Sequence, residues 1–410
     1  MTDRQLNATN NHFVAIDISK LRHDILVEPT NGKKYRMTIT NERVDHDRLI
    51  GKLSRLGGSV QVGFEATGNY HRGIAWRLLL AGFQVHLISS VALARTREAL
   101  HNSWDKNDPK DAQVILYMLK AGHVQRYYDP LVEQYNDCQE LSKTHEAISK
   151  NKTQVLHRLL THYMPLYFPE IPRFRRGSRA LWFFDFLYQF PTPKSITDLN
   201  ESAFVEKAWD IVGRKVNKTQ LLKDIYATAQ SSSGLPVEEG SAAIEMYRLV
   251  IKQMRELIVH RDAIERMTQE RLSGHADYER LQQLPGIGPI HALTILAEAG
   301  DLRRFGHYRQ FLKFCGFDLA TYQSGQYRGQ SRLSKYGNAR LRKAFWMVAQ
   351  VAINQRENSF RDKYKRYIAK DPDNRDLRRK AHTAVAVKVA RVAYSIIKNE
   401  TDYRPYYGVR

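Results

Sequence analysis

Alternating apolar and polar positions divide the first 125 or so residues into short strands separated by helices. A period of two is typical of half-buried strands, and apolar residues three and four apart are typical of helices. The predicted strands are Phe13–Ser19, Asp24–Glu28, Tyr35–Thr40, Val60–Glu65 and Val85–Ile88. The predicted helices lie around Leu49, Leu53 and Leu56, around Ile74, Leu78 and Leu80, and after Pro109.

The order of these elements is three strands, then helix, strand, helix, strand and helix. This is the order of an RNase H-like α/β domain, and we predict such a domain over residues 1–128. In that fold the first and fourth strands are neighbours in one sheet. Their side chains can therefore meet beside the start of a later helix.

The middle of the chain, residues 129–275, is predicted to be helical. Leu141, Ile148 and Val155 recur every seven residues, and Leu159 continues their apolar face. A later run has the 3,4 spacing of a coiled-coil seam: Ile244, Tyr247, Ile251, Met254 and Ile258. Both runs fit either a coiled coil or a packed helical hairpin. An inserted helical piece, Arg173–Gly234, separates the two runs. Its Trp182, Phe183 and Tyr188 permit stacking on RNA, but helix packing explains them as well and is favoured.

The last part, residues 276–410, is predicted to be a mainly helical domain. It opens with LQQLPGIGPIHALTILAEAG, in which Gly286 and Gly288 form a turn between two helical segments. This pattern predicts a helix-hairpin-helix, whose backbone N–H groups can bind a phosphate. An ordinary tight turn between helices is the alternative.

The positive charge is concentrated in the same region. The chain has 64 basic and 43 acidic residues, a net charge of +21, and residues 301–410 contain 25 basic and 9 acidic residues, a net of +16. A field of this density indicates a polyanionic partner, and nucleic acid is the first choice. A membrane surface is less favoured because no basic amphipathic helix with an apolar edge stands out.

The positions of the cysteines and the lengths of the apolar runs exclude further classes of protein. The two cysteines, Cys138 and Cys315, are far apart and outside any CxxC pattern, which excludes a disulfide scaffold and disfavours a zinc site. The chain has no apolar run near 18 residues and no apolar signal segment at its start. We therefore expect a soluble protein of a reducing cytoplasm.

Four carboxylates are candidate metal ligands. Asp17 interrupts the apolar strand FVAIDIS, Glu65 ends VQVGFE, and Asp108 and Asp111 flank Pro109 at a helix start. Four acids at one place repel one another, and two Mg²⁺ ions roughly 3.5–4 Å apart would offset their charge. The alternatives are an ion pair of Asp17 with Lys20 or a neighbouring arginine, a loop cap by Glu65, and a helix-capping role for the last two acids.

Several segments resemble one known family. VAIDISKLRHDILV, FEATGNYHRGIAWRLLLAGFQVHLI and DKNDPKDAQVI are similar to the RuvC-like half of the DEDD transposases, insertion-sequence recombinases described as guided by a bridge RNA. FCGFDLATYQSGQYRGQSRLSKYGNARLRKAF resembles their C-terminal transposase domain. Piv-type DNA invertases are relatives. The chain departs from the family pattern at Ser89-Ser90 and at Asp318-Leu319, where many members have Asn-Pro and Asp-Pro.

The resemblance implies roles for individual residues. Asp17, Glu65, Asp108 and Asp111 correspond to the metal-binding tetrad, and Ser324 corresponds to a nucleophilic serine. From the residues alone, Ser331 and Ser334 compete with Ser324, and Ser334 is also a candidate cap of the following helix. Candidate phosphate-binding cations are Arg328, Arg332, Lys335, Arg340 and Arg342, although a solvated face explains the last two as well.

These expectations describe a DNA recombinase of a mobile element in a prokaryotic cell, acting in the cytoplasm at the nucleoid. It would bind donor and target DNA and, by resemblance, a structured guide RNA. It would work as a homodimer and then a tetramer on DNA. The tetrad and serine are far apart in sequence, which allows them to meet in trans between subunits.

Three alternatives stay open at this point. A RuvC-like nuclease, or a Piv-type invertase acting without RNA, would use the same acids. A sugar-kinase or actin-like ATPase shares the strand order but needs a glycine-rich hairpin, which Asp17–Leu21 lacks. A nucleic-acid scaffold without catalysis would use the acids only to stabilise its structure.

Overall fold

Six strands form one mixed sheet in the N-terminal part of the chain. The strands are β1 (Asn11–Ile18), β2 (Arg22–Glu28), β3 (Tyr35–Thr40), β4 (Ser59–Glu65), β5 (Gln84–Ile88) and β6 (Gln125–Arg126). Their order across the sheet is β3-β2-β1-β4-β5-β6, with β1 parallel to β4 and antiparallel to β2. The five predicted strands are confirmed to within two residues, and the first and fourth are neighbours as expected.

The structure is a computed structural model. It describes residues 11–101, 108–175, 177, 180–212, 217–321, 323–324, 327–329, 331–356 and 358–405. The chain divides into two compact units, Met1–Asn136 and Asp137–Arg410.

Helices cover both faces of the sheet because side chains along each strand alternate between the two faces. The helices are α1 (Arg43–Ser54), α2 (His71–Leu80), α3 (Ser90–His101) and α4 (Asp108–Lys120). Val14, Ile16 and Phe64 share a core with α1 and α2, whereas Ala15 and Leu26 share a second core with α3 and α4. Asp17 lies two residues after Ala15 on β1 and therefore on the same face, which α4 covers. Glu65, its neighbour on β4, lies on this face as well.

Helix α3 is not among the predicted elements. Leu93 is buried on it, but Val91 and Leu100 are about half exposed. Its apolar residues therefore do not form one stripe, which is the pattern on which a helix prediction depends.

The C-terminal unit begins with a pair of antiparallel helices. Helix α5 (Asn136–Arg158) continues through a π-helical turn, Leu159–Tyr163, into α6 (Met164–Tyr167), and α11 (Ala242–Leu272) runs back along α5. Arg271 is 2.9 Å from Asp137, and Glu265 is 3.4 Å from His145. This is the arrangement of a helical hairpin, one of the two alternatives predicted for these runs.

The insertion between these helices has its own aromatic core. It contains a 3₁₀ turn, Ile171–Phe174, and the helices α7 (Leu181–Gln189), α8 (Pro193–Thr197), α9 (Glu201–Ala208) and α10 (Lys218–Gln230). Phe183, Phe186, Phe190 and Phe204 are fully or almost fully buried in it. For Phe183 the packing interpretation is confirmed.

The rest of the unit is helical apart from two short ladders. Its elements are α12 (Ala276–Gln282), α13 (Pro289–Ala299), a 3₁₀ turn Leu302–Arg304, α14 (Tyr308–Phe314), β7 (Leu319–Ala320), β8 (Gln323–Ser324), β9 (Tyr327–Arg328), β10 (Arg332–Leu333), α15 (Ala339–Asn354), α16 (Ser359–Ile368) and α17 (Arg375–Lys398). Strand β7 pairs with β10, and β8 pairs with β9. Across the described ranges, every helix is too short or too polar to span a bilayer.

Both cysteines lie in this unit and are buried as free thiols. Burial raises the pKa of the Cys138 thiol to about 11 and also raises the pKa of Cys315.

Candidate active site

Two of the predicted metal ligands, Asp17 and Glu65, lie on neighbouring strands. In the parallel pair β1–β4, Ile16 is in register with Phe64, so the next residues along both strands are Asp17 and Glu65. Both side chains are partly buried and lie on the face covered by α4. Two carboxylates side by side at the ends of neighbouring strands repel each other unless a cation offsets their charge.

A third acid, Asp24, was missed by the sequence analysis. It lies directly opposite Asp17 in the antiparallel pair β1–β2, on the same face. Thr38 donates a hydrogen bond of 2.6 Å from Oγ1 to Asp24 Oδ1. Asp24 lies two residues before the buried Leu26 and so shares its face of β2, and that spacing could have identified it.

The close approach of α4 to the sheet depends on Gly63. A Cβ atom at this position would lie 3.3 Å from the side chain of Leu119 on α4. Gly63 therefore lets β4, which ends at Glu65, lie next to the helix that begins at Asp108 and carries Asp111.

Asp111 is almost completely buried and is paired with an arginine. Arg97 on α3 places Nε 2.5 Å from Asp111 Oδ1, and its own side chain is only 13% exposed. The guanidinium offsets the carboxylate charge, which burial would otherwise make costly. The side chain of Asp108 lies outside the described residues. Within the described part, no group of three or more His, Cys, Asp or Glu side chains has the spacing of a metal site.

Ser324 lies on an exposed hairpin of the C-terminal unit. It pairs with Tyr327, so the register leaves two residues, 325 and 326, between β8 and β9. The rival Ser331 has its hydroxyl 3.2 Å from Thr321 Oγ1. The capping role considered for Ser334 is wrong: α15 is capped by Asn338, whose Oδ1 accepts a 2.9 Å hydrogen bond from the Leu341 amide.

Two of the predicted phosphate-binding cations make contacts inside the protein. Arg340 lies 2.5 Å from Glu298 and 2.6 Å from Glu146. Arg342 donates to the carbonyl oxygens of Lys335 and Cys315 at 3.2 and 3.4 Å. These contacts give both arginines a structural role.

Of the remaining predicted cations, Arg332 and Lys335 are exposed. The side chain of Arg328 lies outside the described residues.

The two glycines of the predicted helix-hairpin-helix differ in their surroundings. Gly286 has a φ of +88°, and a Cβ there would lie 2.5 Å from the carbonyl oxygen of Val348 on α15. Gly288 is the N-cap of α13 and has nothing within 4 Å of an added Cβ. Helix packing thus requires Gly286, whereas Gly288 lies beside open space at a helix N-terminus.

Two family models match the chain. The model of the DEDD transposases of IS110 type matches residues 14–169, which contain all four acids of the predicted tetrad. The model described as "Transposase IS116/IS110/IS902 family" matches residues 278–365, which contain Ser324.

Curated proteins with similar sequences are also transposases by name. The mini-circle putative transposase for IS117 of Streptomyces coelicolor is 25% identical over 77% of this chain and 78% of its own length. A probable family 20 transposase of Pseudomonas aeruginosa is 30% identical over 45% of this chain and 52% of its own length. The transposase for insertion sequence element IS1111A of Coxiella burnetii is 29% identical over 31% of this chain and 35% of its own length.

Proposed function

The chain belongs to the IS110-type DEDD transposases of insertion sequences, and from that premise we propose that it cuts and rejoins DNA through a magnesium-bound tetrad and a serine nucleophile. The observation that carries this proposal is the register of β1 and β4, which makes Asp17 and Glu65 neighbours on the face covered by α4. The strand order 3-2-1-4-5 with helices on both faces supports an RNase H-like, RuvC-like unit.

Asp17, Glu65, Asp108 and Asp111 are the residues that would hold the metal. Carboxylate oxygens are the donors that Mg²⁺ prefers, and the neighbouring Asp17 and Glu65 would supply them. Bound Mg²⁺ would polarise phosphoryl oxygens and offset the negative charge that develops on them. Asp111 is held by Arg97, so its carboxylate would exchange the guanidinium for the cation.

Ser324 would supply the nucleophile. Its Oγ forms a bond to the phosphorus of the DNA backbone and loses its proton, while the bond from phosphorus to the leaving deoxyribose oxygen breaks and that oxygen takes up a proton. The phosphoserine then accepts attack by a deoxyribose hydroxyl of another strand, which rejoins the DNA and frees the serine. The exposure of Ser324 supports this role, because a DNA backbone can reach it.

Trapping the phosphoserine tests this mechanism. Protein, Mg²⁺ and DNA from the ends of the element are incubated and denatured, and adducts are separated on a gel. We expect an adduct that Ser324→Ala abolishes and that Ser331→Ala and Ser334→Ala retain. An adduct that persists in Ser324→Ala contradicts the serine assignment. Free cleaved ends without any adduct would instead identify a nuclease that uses water.

We further propose that a structured guide RNA and more than one copy of the chain take part. The net charge of +16 over residues 301–410 supports a nucleic-acid partner. Joining two DNA molecules needs paired active sites, which a dimer and a tetramer on DNA would supply. Sequencing the RNA that copurifies from cells with the flanking DNA tests the guide. A discrete RNA encoded beside the gene supports it, whereas random RNA or none supports direct DNA reading, as by an invertase.

A further inference from the structure

A basic cavity lies between α16 and α17 in the C-terminal unit. Its volume is about 770 Å³, and it is open to solvent, since Arg366, Lys388, Arg391 and Arg404 are exposed. The lining residues from α16 recur at 359, 363, 366 and 367, and those from α17 recur at 388, 391, 392, 395 and 396, so each helix presents one face. The cavity is lined by five cationic side chains, Lys363, Arg366, Lys388, Arg391 and Arg404.

Among the described residues, these cations lack acidic partners: no carboxylate lines the cavity, and none of the five cations forms a salt bridge. The acids next to its C-terminal wall are occupied elsewhere: Glu400 lies 3.0 Å from Arg303, and Asp402 accepts a 3.0 Å hydrogen bond from Gln283. Burial and the neighbouring Arg391 and Lys363 lower the pKa of Lys388. Uncompensated cations at this density favour an anionic ligand.

Aromatic groups complete the cavity. Tyr403 and Tyr367 line it, and the Tyr403 hydroxyl is buried without a hydrogen-bond partner among the described residues. Arg391 lies 4.3 Å from the ring centre of Tyr308. Tyr308 lies outside the lining, so the exposed ring of Tyr367 is the face that the cavity offers for stacking. An aromatic face beside phosphate-binding cations is a means by which proteins hold single-stranded nucleic acid.

We propose that this cavity binds an unpaired nucleotide together with its flanking phosphates. Lys363 and Lys388, from the two helices, bind the phosphates, and Tyr403 contributes its hydroxyl to the base or sugar. The same chemistry suits an unpaired segment of RNA or of DNA. The proposal rests on the proposed function, because that function supplies a nucleic-acid substrate.

The test compares two double variants with equal loss of charge. Lys363→Gln with Lys388→Gln removes cations of the cavity, and Lys365→Gln with Lys380→Gln removes exposed cations of the same helices that do not line it. Binding to a labelled single-stranded RNA, the same DNA sequence, and duplex DNA is measured across a salt series. We expect the cavity variant to weaken single-strand binding at least about tenfold and to lower the salt slope by about 1.4, from 0.7 per phosphate contact. The control variant should change affinity less than about threefold.

The outcomes separate the alternatives. Equal losses in the two double variants would overturn the proposal, since the surface would then act only through its total charge. An equal loss for duplex DNA would also overturn it. A loss confined to RNA or to DNA identifies which strand the cavity takes. Tyr403→Phe should weaken single-strand binding about threefold, and an unchanged affinity contradicts the role of its hydroxyl. Because binding is measured without catalysis, failure here is distinct from failure of the Ser324 adduct test.

Discussion

Asp17 lies in a row of carboxylates that crosses three strands. Asp24 is its partner on β2, and Glu65 follows the in-register position on β4. Like charges on directly opposite residues destabilise a sheet by up to about 1 kcal/mol per pair. This row therefore costs some stability unless a cation offsets its charge.

Replacing Glu65 separates metal binding from folding. Glu65→Gln keeps the shape of the side chain and removes its charge, so we expect DNA cleavage to fall by about a thousandfold while the protein still folds. Mg²⁺ should raise the melting temperature of the wild-type protein and have little effect on the variant. Glu133→Gln, at an exposed acid of the same unit, is the control. Normal cleavage by Glu65→Gln would remove it from the tetrad.

The two glycines of the α12–α13 turn give a matched pair of substitutions. Gly286→Ala adds a methyl group against α15 at a φ of +88°, so we expect a loss of about 2–4 kcal/mol in the free energy of unfolding. Gly288→Ala meets no neighbour and should fold normally. Urea unfolding of both variants measures this difference. If Gly288→Ala nevertheless weakens DNA binding, the phosphate-binding interpretation of the turn gains support.

At the scale of elements, α3 and α4 are joined by the buried pair of Arg97 and Asp111. We expect Arg97→Met to destabilise the N-terminal unit by about 3–5 kcal/mol in EDTA, because it leaves a buried carboxylate unpaired. If Asp111 is a metal ligand, Mg²⁺ should restore part of this loss and should stabilise the variant more than the wild type.

The double variant Arg97→Met with Asp111→Leu is the control, since it removes both charges. It should be more stable than the single variant and should not respond to Mg²⁺ in this way. Urea unfolding in EDTA and in Mg²⁺ provides the comparison. An equal response of the wild type and Arg97→Met to Mg²⁺ would indicate that Asp111 has only a structural role.

The elements differ in how well the sequence predicts them. Strands β1 to β5 are found because their apolar residues alternate or form short runs between turns. The ladders β7–β10 and β8–β9 are missed because two-residue strands have no period. The neighbourhood of Asp17 and Glu65 follows from strand order, but the pairing of Asp111 with Arg97 does not. It depends on α3, whose apolar residues point in several directions.

At the scale of the whole molecule, burial lowers the pKa of histidines in both units, and four of these histidines lie in the N-terminal unit. Burial lowers the pKa of His23, His71 and His86, and lowers the pKa of His46 to about 4. The unfolded chain binds protons near pH 6.5, so it takes up more protons than the folded unit between that pH and about 4. The contribution of these histidines to the free energy of unfolding is fully present above about pH 6.5 and is lost as the pH falls.

We therefore expect the melting temperature to drop by at least about 4 °C between pH 7 and pH 4.5, as measured by scanning calorimetry. His46→Leu, which cannot take up a proton, should show a smaller drop. The same drop in the variant and the wild type would mean that other groups cause the acid sensitivity.

The burial of Cys138 and Cys315 has a consequence for experiments on this protein. A thiol reacts with labelling reagents as the thiolate, and burial with a raised pKa makes both native cysteines unreactive in the folded chain. Ser324→Cys would place a new thiol on the exposed β8–β9 hairpin, where a fluorophore could be attached without first removing either native cysteine. Because the native cysteines take up no label, the distance between this hairpin and labelled DNA can be followed in single-molecule measurements.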